Sequence, residues 1–231
     1  LATFLNNMGA HIRGAGTNEI RVQGVDSLKS MNVHTIIPDR IEAGTYLSFA
    51  AANGNGVLVK NVITEHLDPF LSKLEEMGVR MEIDEDEIYV PGGDVLSPVN
   101  IKTSPFPGFA TDLQQPITPL LMQARGSSTI IDTLYPERTK HIPEMQRMGA
   151  KISSKDGIIT VGHSTDLSGT VVEAGEIRAG VSLVGLALMA EGTTVINKAD
   201  NILRGYDRIV EKFRGLSVDL EVINESESLN H

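Results

Sequence analysis

Apolar positions along the chain alternate between two rhythms, one of helical spacing and one of strict alternation. Leu71, Leu74 and Met77 recur at helical spacing, as do Ile142, Met145 and Met148, and Ile209 with Phe213. A glycine closes each run, at Gly78, Gly149 and Gly215. There a left-handed C-terminal cap is tolerated because no Cβ stands in the way. Alternation follows, with Met81/Ile83 answering Ile88/Val90 and Ile152 answering Ile158 and Thr160. The pattern predicts a hairpin after each helix, with the acidic residues 82–87 and the polar residues 153–157 as its turns. The same signature stands at Met8-Gly9-Ala10-His11-Ile12. Gly9, Gly78, Gly149 and Gly215 are evenly spaced along the chain. Their period, roughly 70, is too long for a solenoid unit, so each copy is a module of several elements.

The first half of each module aligns as well. Gly54, Gly126 and Gly192 each end a helical pattern rich in small residues, and strands are predicted at 57–62, 129–134 and 194–196. The unit is strand–helix–strand–helix–strand–strand, present in two and a half to three copies. Residues 1–25 supply only the last helix and hairpin of an earlier copy, so the chain reads as a fragment, truncated at its N-terminus, of a longer protein. The closing residues 225–231 read as a polar tail.

Composition narrows the class. Hydrophobic residues make up 41% and charged residues 22%, which places the chain among globular α/β proteins. The 20 Lys+Arg against 30 Asp+Glu give a net charge of −10, which repels nucleic acid and anionic membranes while leaving room for a local basic pocket. The aromatic content of 4% also weighs against nucleic-acid binding. Cysteine is absent, which removes disulfides and thiolate chemistry from these residues. The longest apolar stretch, residues 181–190, is broken by Ser182 and Gly185 and is far short of a spanning helix. No membrane association and a cytoplasmic location are expected.

Candidate chemistry emerges from the repeat. Arg40, Asp112 and Arg178 share one fixed offset before the aligned glycines, where the first helix of each module opens. His66, Arg138 and Arg204 share a second fixed offset after them, near the second helices. Helix starts offer unpaired N–H groups and the positive end of the dipole, so this set points to anion binding. Other motifs carry little. Gly14-Ala15-Gly16 and Gly54-Asn55-Gly56 lack the third glycine of a dinucleotide fingerprint. There is no P-loop and no nucleophile elbow. His141-Ile142-Pro143-Glu144 lacks a second histidine one turn away, and neither a metal nor a cofactor is indicated.

Several blocks resemble the enolpyruvyl transferase family, and within it the branch that acts on UDP-N-acetylglucosamine. They are Thr35-Ile36-Ile37-Pro38-Asp39-Arg40-Ile41-Glu42-Ala43-Gly44-Thr45, Phe109-Ala110-Thr111-Asp112-Leu113-Gln114, Pro136-Glu137-Arg138, and the run from His141 to Ala150. Glu176-Ile177-Arg178-Ala179 and Arg204-Gly205-Tyr206-Asp207-Arg208-Ile209 complete the set. The resemblance implies an inside-out α/β barrel built from repeated βαββαβ units. It implies that residues 1–26 are the remnant of a first domain and that residues 27–231 form the second. It further implies phosphoenolpyruvate and UDP-N-acetylglucosamine as substrates, with the absent N-terminal domain as the physical partner and the cleft between domains as the site. By the same resemblance Asp112 is the candidate base for the sugar hydroxyl. Leu134 offers its backbone to the nucleotide sugar, and Arg138, Arg178 and Arg204 form the cationic cluster, with Arg204 and Arg178 toward phosphoenolpyruvate. Arg40 and Glu176 join the substrate-binding set. The family usually carries Asp where this chain has Glu176. Its catalytic acid loop and its other phosphoenolpyruvate contacts fall outside these residues, so no turnover is expected of this chain alone. The sister branch acting on shikimate 3-phosphate, and a non-catalytic binding module, are the competing readings.

Overall fold

In a computed structural model of the chain, residues 1–17, 19–30 and 33–223 are described, and the tail read at 225–231 lies outside them. Two compact units divide between Pro38 and Asp39. The smaller holds helix α1 (Ala2–Asn7) and the antiparallel strands β1 (His11–Arg13) and β2 (Arg21–Gln23). The larger begins with α2 (Arg40–Asn53), β3 (Val57–Lys60), α3 (Asp68–Met77), β4 (Glu82–Ile83) and β5 (Glu87–Val90). A second set follows: β6 (Asn100–Lys102), α4 (Thr118–Gln123), β7 (Ser127–Ile131), α5 (His141–Arg147), β8 (Ile152–Lys155) and β9 (Ile158–Gly162). A third comprises β10 (Val171–Glu173), α6 (Ile177–Ala187), β11 (Val195–Asn197), α7 (Asp200–Leu203) and α8 (Ile209–Gly215).

The middle module shows the whole predicted unit in order. Its sheet runs β6-β7-β9-β8, with β6 parallel to β7 across the helix crossover and the remaining pairs antiparallel. The first module gives a three-stranded sheet, β3-β5-β4, and the third a parallel pair, β10 and β11. Gly9, Gly78 and Gly149 take φ of +100°, +92° and +93°, as the repeat predicts. The fourth copy departs: Gly215 is the last residue of α8, Ser217 carries the positive φ of 62°, and no strand follows among the described residues. Several boundaries also move. The strand read at 57–62 ends at Lys60, because Asn61 turns with φ 58°. The helix read up to Gly192 stops at Ala187. The two hairpin turns are tighter than the polar runs implied. Asp84 N–H donates to Glu87 O at 2.9 Å, and only Asp156 and Gly157, both with positive φ, turn the chain between β8 and β9.

Helices α2, α4 and α6, the first of each module, are buried nearly all round, which is why their sequences carry small and apolar residues on every face. Their polar residues bond back to carbonyls one turn earlier: Thr45 to Ile41 O at 2.8 Å, Ser48 to Gly44 O at 3.0 Å, Ser182 to Ala179 O at 2.7 Å and, from the first residue of α4 to the turn before it, Thr118 to Gln114 O at 2.9 Å. Helices α3, α5 and α8 bury one face each, led by Phe70/Leu74/Met77, Ile142/Met145 and Ile209/Phe213. A second core cluster joins α2, α6 and the C-terminal helices around Phe49, Val181, Tyr206 and Phe213.

Close approach of α6 to α2 depends on Gly185. A Cβ there would run into Phe49 Cε1, and the Phe49 ring is itself 4% exposed and packed 6.3 Å from the Phe213 ring. Gly185→Ala therefore destabilises the fold by about 1–3 kcal/mol of overpacking, despite the better helix propensity of alanine. Equilibrium urea unfolding followed by circular dichroism measures the loss.

Candidate active site

The 3₁₀ turn Thr111–Leu113, leading toward α4, presents Asp112. Arg138 Nη1, from the loop before α5, donates to Asp112 Oδ1 at 2.7 Å. Arg178 Nη2, from the first turn of α6, reaches Asp112 Oδ2 at 3.5 Å. One carboxylate is thus shared by guanidinium groups from two modules, all three side chains being partly buried. Partial burial keeps these charges less screened than surface pairs in salt, and the guanidinium fork suits carboxylate and phosphate.

Each partner is oriented from behind. Arg178 Nη1 donates to Tyr206 Oη at 3.0 Å, and its guanidinium lies 5.4 Å from the centre of the Tyr206 ring. Tyr206 Oη stands 3.0 Å from Thr45 Oγ1 of α2. Thr45 gives its own proton to Ile41 O, so the tyrosine is the donor to Thr45 and the protons run in one direction, from Arg178 through Tyr206 to Thr45. Burial raises the Tyr206 phenol, which Arg178 and Thr45 offset in part, and keeps it protonated for that donation. Arg138 lies 4.8 Å from the Tyr135 ring centre, and its Nη1 also approaches Thr111 Oγ1 at 3.3 Å.

Asp132, buried at the end of β7, organises the loop between Asp112 and Arg138. Its Oδ1 accepts from Thr103 Oγ1 at 2.8 Å and from the N–H groups of Leu134 and Tyr135 at 3.0 and 2.9 Å. Its Oδ2 accepts from Thr111 Oγ1 at 2.6 Å. This Asx-type turn ends the strand at Ile131, short of the predicted Leu134 boundary. Leu134 consequently stands in the loop, 37% exposed. A second buried group lies behind Asp112. Gln115 Nε2 donates to Glu176 Oε1 at 2.8 Å and stands 3.3 Å from Nδ1 of the fully buried His141.

The structure therefore brings Asp112, Arg138 and Arg178 into direct contact, and attaches Leu134 and Glu176 to the same region through Asp132 and Gln115. Arg40 and Arg204 lie outside this hydrogen-bonded set. Arg40 opens α2 behind the Asp39 cap, whose carboxylate accepts from Ile41 N at 2.7 Å, and its guanidinium lies 5.5 Å from the Phe106 ring centre. The His66 ring stands nearly perpendicular to that same ring, with 6.2 Å between the two centres. Arg204 follows α7 rather than opening a helix, is exposed, and has no side-chain hydrogen bond or ion pair among the described residues. Thr45, Asp132, Gln115, His141 and Tyr206 are not among the sequence candidates for the site. No local signal in the sequence singles out Asp132 or Gln115: one follows an apolar strand, as turn aspartates do, and the other stands between Gln114 and Pro116. Among the described residues no group of three or more His, Asp or Glu is placed to hold a metal ion, and no helix is long and apolar enough to cross a membrane.

Residues 1–213 match the family model described as EPSP synthase (3-phosphoshikimate 1-carboxyvinyltransferase). The chain is 59% identical over 227 residues to UDP-N-acetylglucosamine 1-carboxyvinyltransferase 2 of Lactiplantibacillus plantarum, covering 98% of this chain and 53% of that protein. It is 54% identical over 225 residues to UDP-N-acetylglucosamine 1-carboxyvinyltransferase 1 of Streptococcus agalactiae, covering 97% and 54%. The chain thus spans about half the length of the curated relatives it matches. Among solved structures, the enolpyruvyl transferase NikO from Streptomyces tendae superposes with a TM-score of 0.82 at 26% identity, covering 94% of this chain and 52% of that one. EPSP synthase from Acinetobacter baumannii superposes at 0.69 with 18% identity over 95% and 54%, a likeness of fold.

Burial lowers His141 from its ordinary 6.5 to about 3, so the imidazole is neutral in the folded chain. Between those values the unfolded chain binds a proton that the folded one refuses, and stability falls as pH drops below 6.5. The expected slope approaches about 1.4 kcal/mol per pH unit well below pH 6.5, for a total of about 1.5 kcal/mol between pH 6.5 and 5. Urea unfolding at the two pH values measures it, and His141→Gln flattens the slope.

Proposed function

The chain belongs to the EPSP synthase family of enolpyruvyl transferases, and from that premise we propose that the protein transfers the enolpyruvyl group of phosphoenolpyruvate to the 3′-hydroxyl of UDP-N-acetylglucosamine, releasing phosphate. That reaction is the first committed step of peptidoglycan synthesis and belongs in the cytoplasm. The choice of acceptor is supported by relatives at 54% and 59% identity whose names carry it. The observation that carries the reading is the Asp112 carboxylate bridged by Arg138 and Arg178.

The chemistry is addition across the enol double bond followed by elimination of phosphate. In the unliganded arrangement Asp112 bridges two guanidinium groups and offsets only one of their two positive charges. An arriving phosphate takes over those donors, because it offers a forked acceptor geometry with more charge than a carboxylate. Asp112 is then released to accept the proton of the sugar hydroxyl as the C–O bond forms, a role that rests on position as much as basicity. Arg138 and Arg178 hold the anionic groups, and exposed Arg204 supplies a further cation for phosphoenolpyruvate. Arg40 contributes positive charge from the start of α2. The backbone at Leu134, held by Asp132, offers its carbonyl to the nucleotide sugar. Residues 1–26 belong in this reading to the first domain and residues 27–231 to the second. The site is completed by that first domain, so the present chain alone is inactive.

Phosphate release from phosphoenolpyruvate by the whole protein, with UDP-N-acetylglucosamine and shikimate 3-phosphate offered separately, tests the proposal. Turnover is expected with the nucleotide sugar only, and Asp112→Asn lowers kcat by about 10²–10⁴-fold. Turnover with shikimate 3-phosphate instead reassigns the acceptor. Release with neither acceptor replaces the enzyme with a binding module.

A further inference from the structure

The three side chains of the Asp112 cluster come from separate parts of the chain, and their mutual contacts alone do not hold them. The Arg178–Asp112 contact is long, at 3.5 Å, and all three groups face water on one side. Behind them lies one buried amide. Gln115 is three residues beyond Asp112, His141 three residues beyond Arg138, and Glu176 two residues before Arg178. The Gln115 Nε2 group meets both of the others, at 2.8 Å from Glu176 Oε1 and 3.3 Å from His141 Nδ1. Each segment that presents a charged member of the cluster is therefore anchored, within a turn of that residue, to the same nitrogen.

The orientation of this amide is dictated. A carboxylate offers only acceptors, so the NH₂ end of Gln115 must face Glu176. Its second hydrogen then points to His141 Nδ1, which serves as the acceptor and leaves the imidazole proton on Nε2. Gln115 Oε1 and His141 Nε2 are both buried without a partner. Turning the amide over would set its oxygen against the carboxylate, so the unpaired atoms are tolerated for the sake of the Glu176 bond. A side chain one methylene shorter at position 176 would withdraw the carboxylate by about 1.5 Å, one C–C bond, and break the contact.

We infer that Gln115 is a positioning residue: its buried amide sets the register between the Asp112, Arg138 and Arg178 segments by tying Glu176 and His141 together behind them. This rests on the proposed reading for its consequence in catalysis, though not for the tether itself.

The test uses the whole protein and two readouts. In thermal unfolding, Gln115→Met and Glu176→Ala are compared singly and together. A shared tether predicts that the double variant melts no lower than the worse single variant, whereas additive losses overturn it. In the phosphate-release assay, Gln115→Met is expected to lower kcat/KM by about 10–100-fold, mostly in kcat, as for small misplacements of reacting groups. Gln115→Glu, which sets two carboxylates together, falls further, and adding Glu176→Gln exchanges donor and acceptor and recovers at least tenfold. A Gln115→Met variant within twofold of the unaltered protein overturns the positioning role, as does an exchange that recovers nothing. Absence of turnover in the unaltered whole protein counts against the enzymatic reading, and the thermal cycle then decides the tether.

Discussion

Mutual burial of α2, α4 and α6 is the constraint on which the rest of this structure depends. A helix that is apolar on every face has no side to offer water, so the three can be stable only when other elements surround them. Their neighbours are each other, through contacts such as Phe49 on Gly185, together with the strands and amphipathic helices of the same modules. This requirement fixes where the segments leading into α4 and α6 stand, and Asp112 and Arg178 meet because those segments do. Functional geometry is here a by-product of packing: the cluster is placed by the helices' need for burial and only trimmed by its own hydrogen bonds.

The charges fit the same logic. A protein of net charge −10 holds few places where an anionic ligand is welcome. The Asp112 region is one, because two arginines converge there on a single carboxylate. That carboxylate bridges the two guanidiniums, and Tyr206 and Tyr135 add aromatic faces against Arg178 and Arg138. In the proposed reading, ligand binding exchanges the single Arg138 and Arg178 bonds to Asp112 for bonds to the incoming anion.

Local signals were legible in the sequence, and long-range ones were not. The repeat period, the glycine caps at Gly9, Gly78 and Gly149 and the middle strand–helix–strand–helix–strand–strand unit follow from spacing and backbone preference, and they reappear in the structure with modest shifts of boundary. Asp112, Arg138 and Arg178 were readable because each recurs at a fixed offset from an aligned glycine. The same rule also selected Arg40, His66 and Arg204, which the structure leaves outside the hydrogen-bonded cluster. An offset locates a residue along its own module and says nothing of which module lies opposite. Tyr206 illustrates the limit: its partner Thr45 lies near the other end of the chain, and no local pattern announces the pair. Asp132 is a related case, since an aspartate after an apolar strand reads as an ordinary turn until its four donors are seen together.

Using a neutral amide rather than a cation to hold Glu176 has a consequence of its own. A carboxylate at the start of α6 is two residues from Arg178 and would be a natural ion-pair partner for it. Were the two paired, an incoming anionic substrate would have to compete with Glu176 as well as Asp112 for the same guanidinium. Gln115 supplies the hydrogen bond instead, so Glu176 is satisfied without drawing on the positive charge in front of it, and among the described residues it forms no ion pair. Neutrality of His141 completes the arrangement. A charged imidazole would carry a proton on Nδ1, opposing the Gln115 NH₂ and setting the amide loose. The burial that costs stability below pH 6.5 thus keeps the imidazole in the one protonation state compatible with the tether.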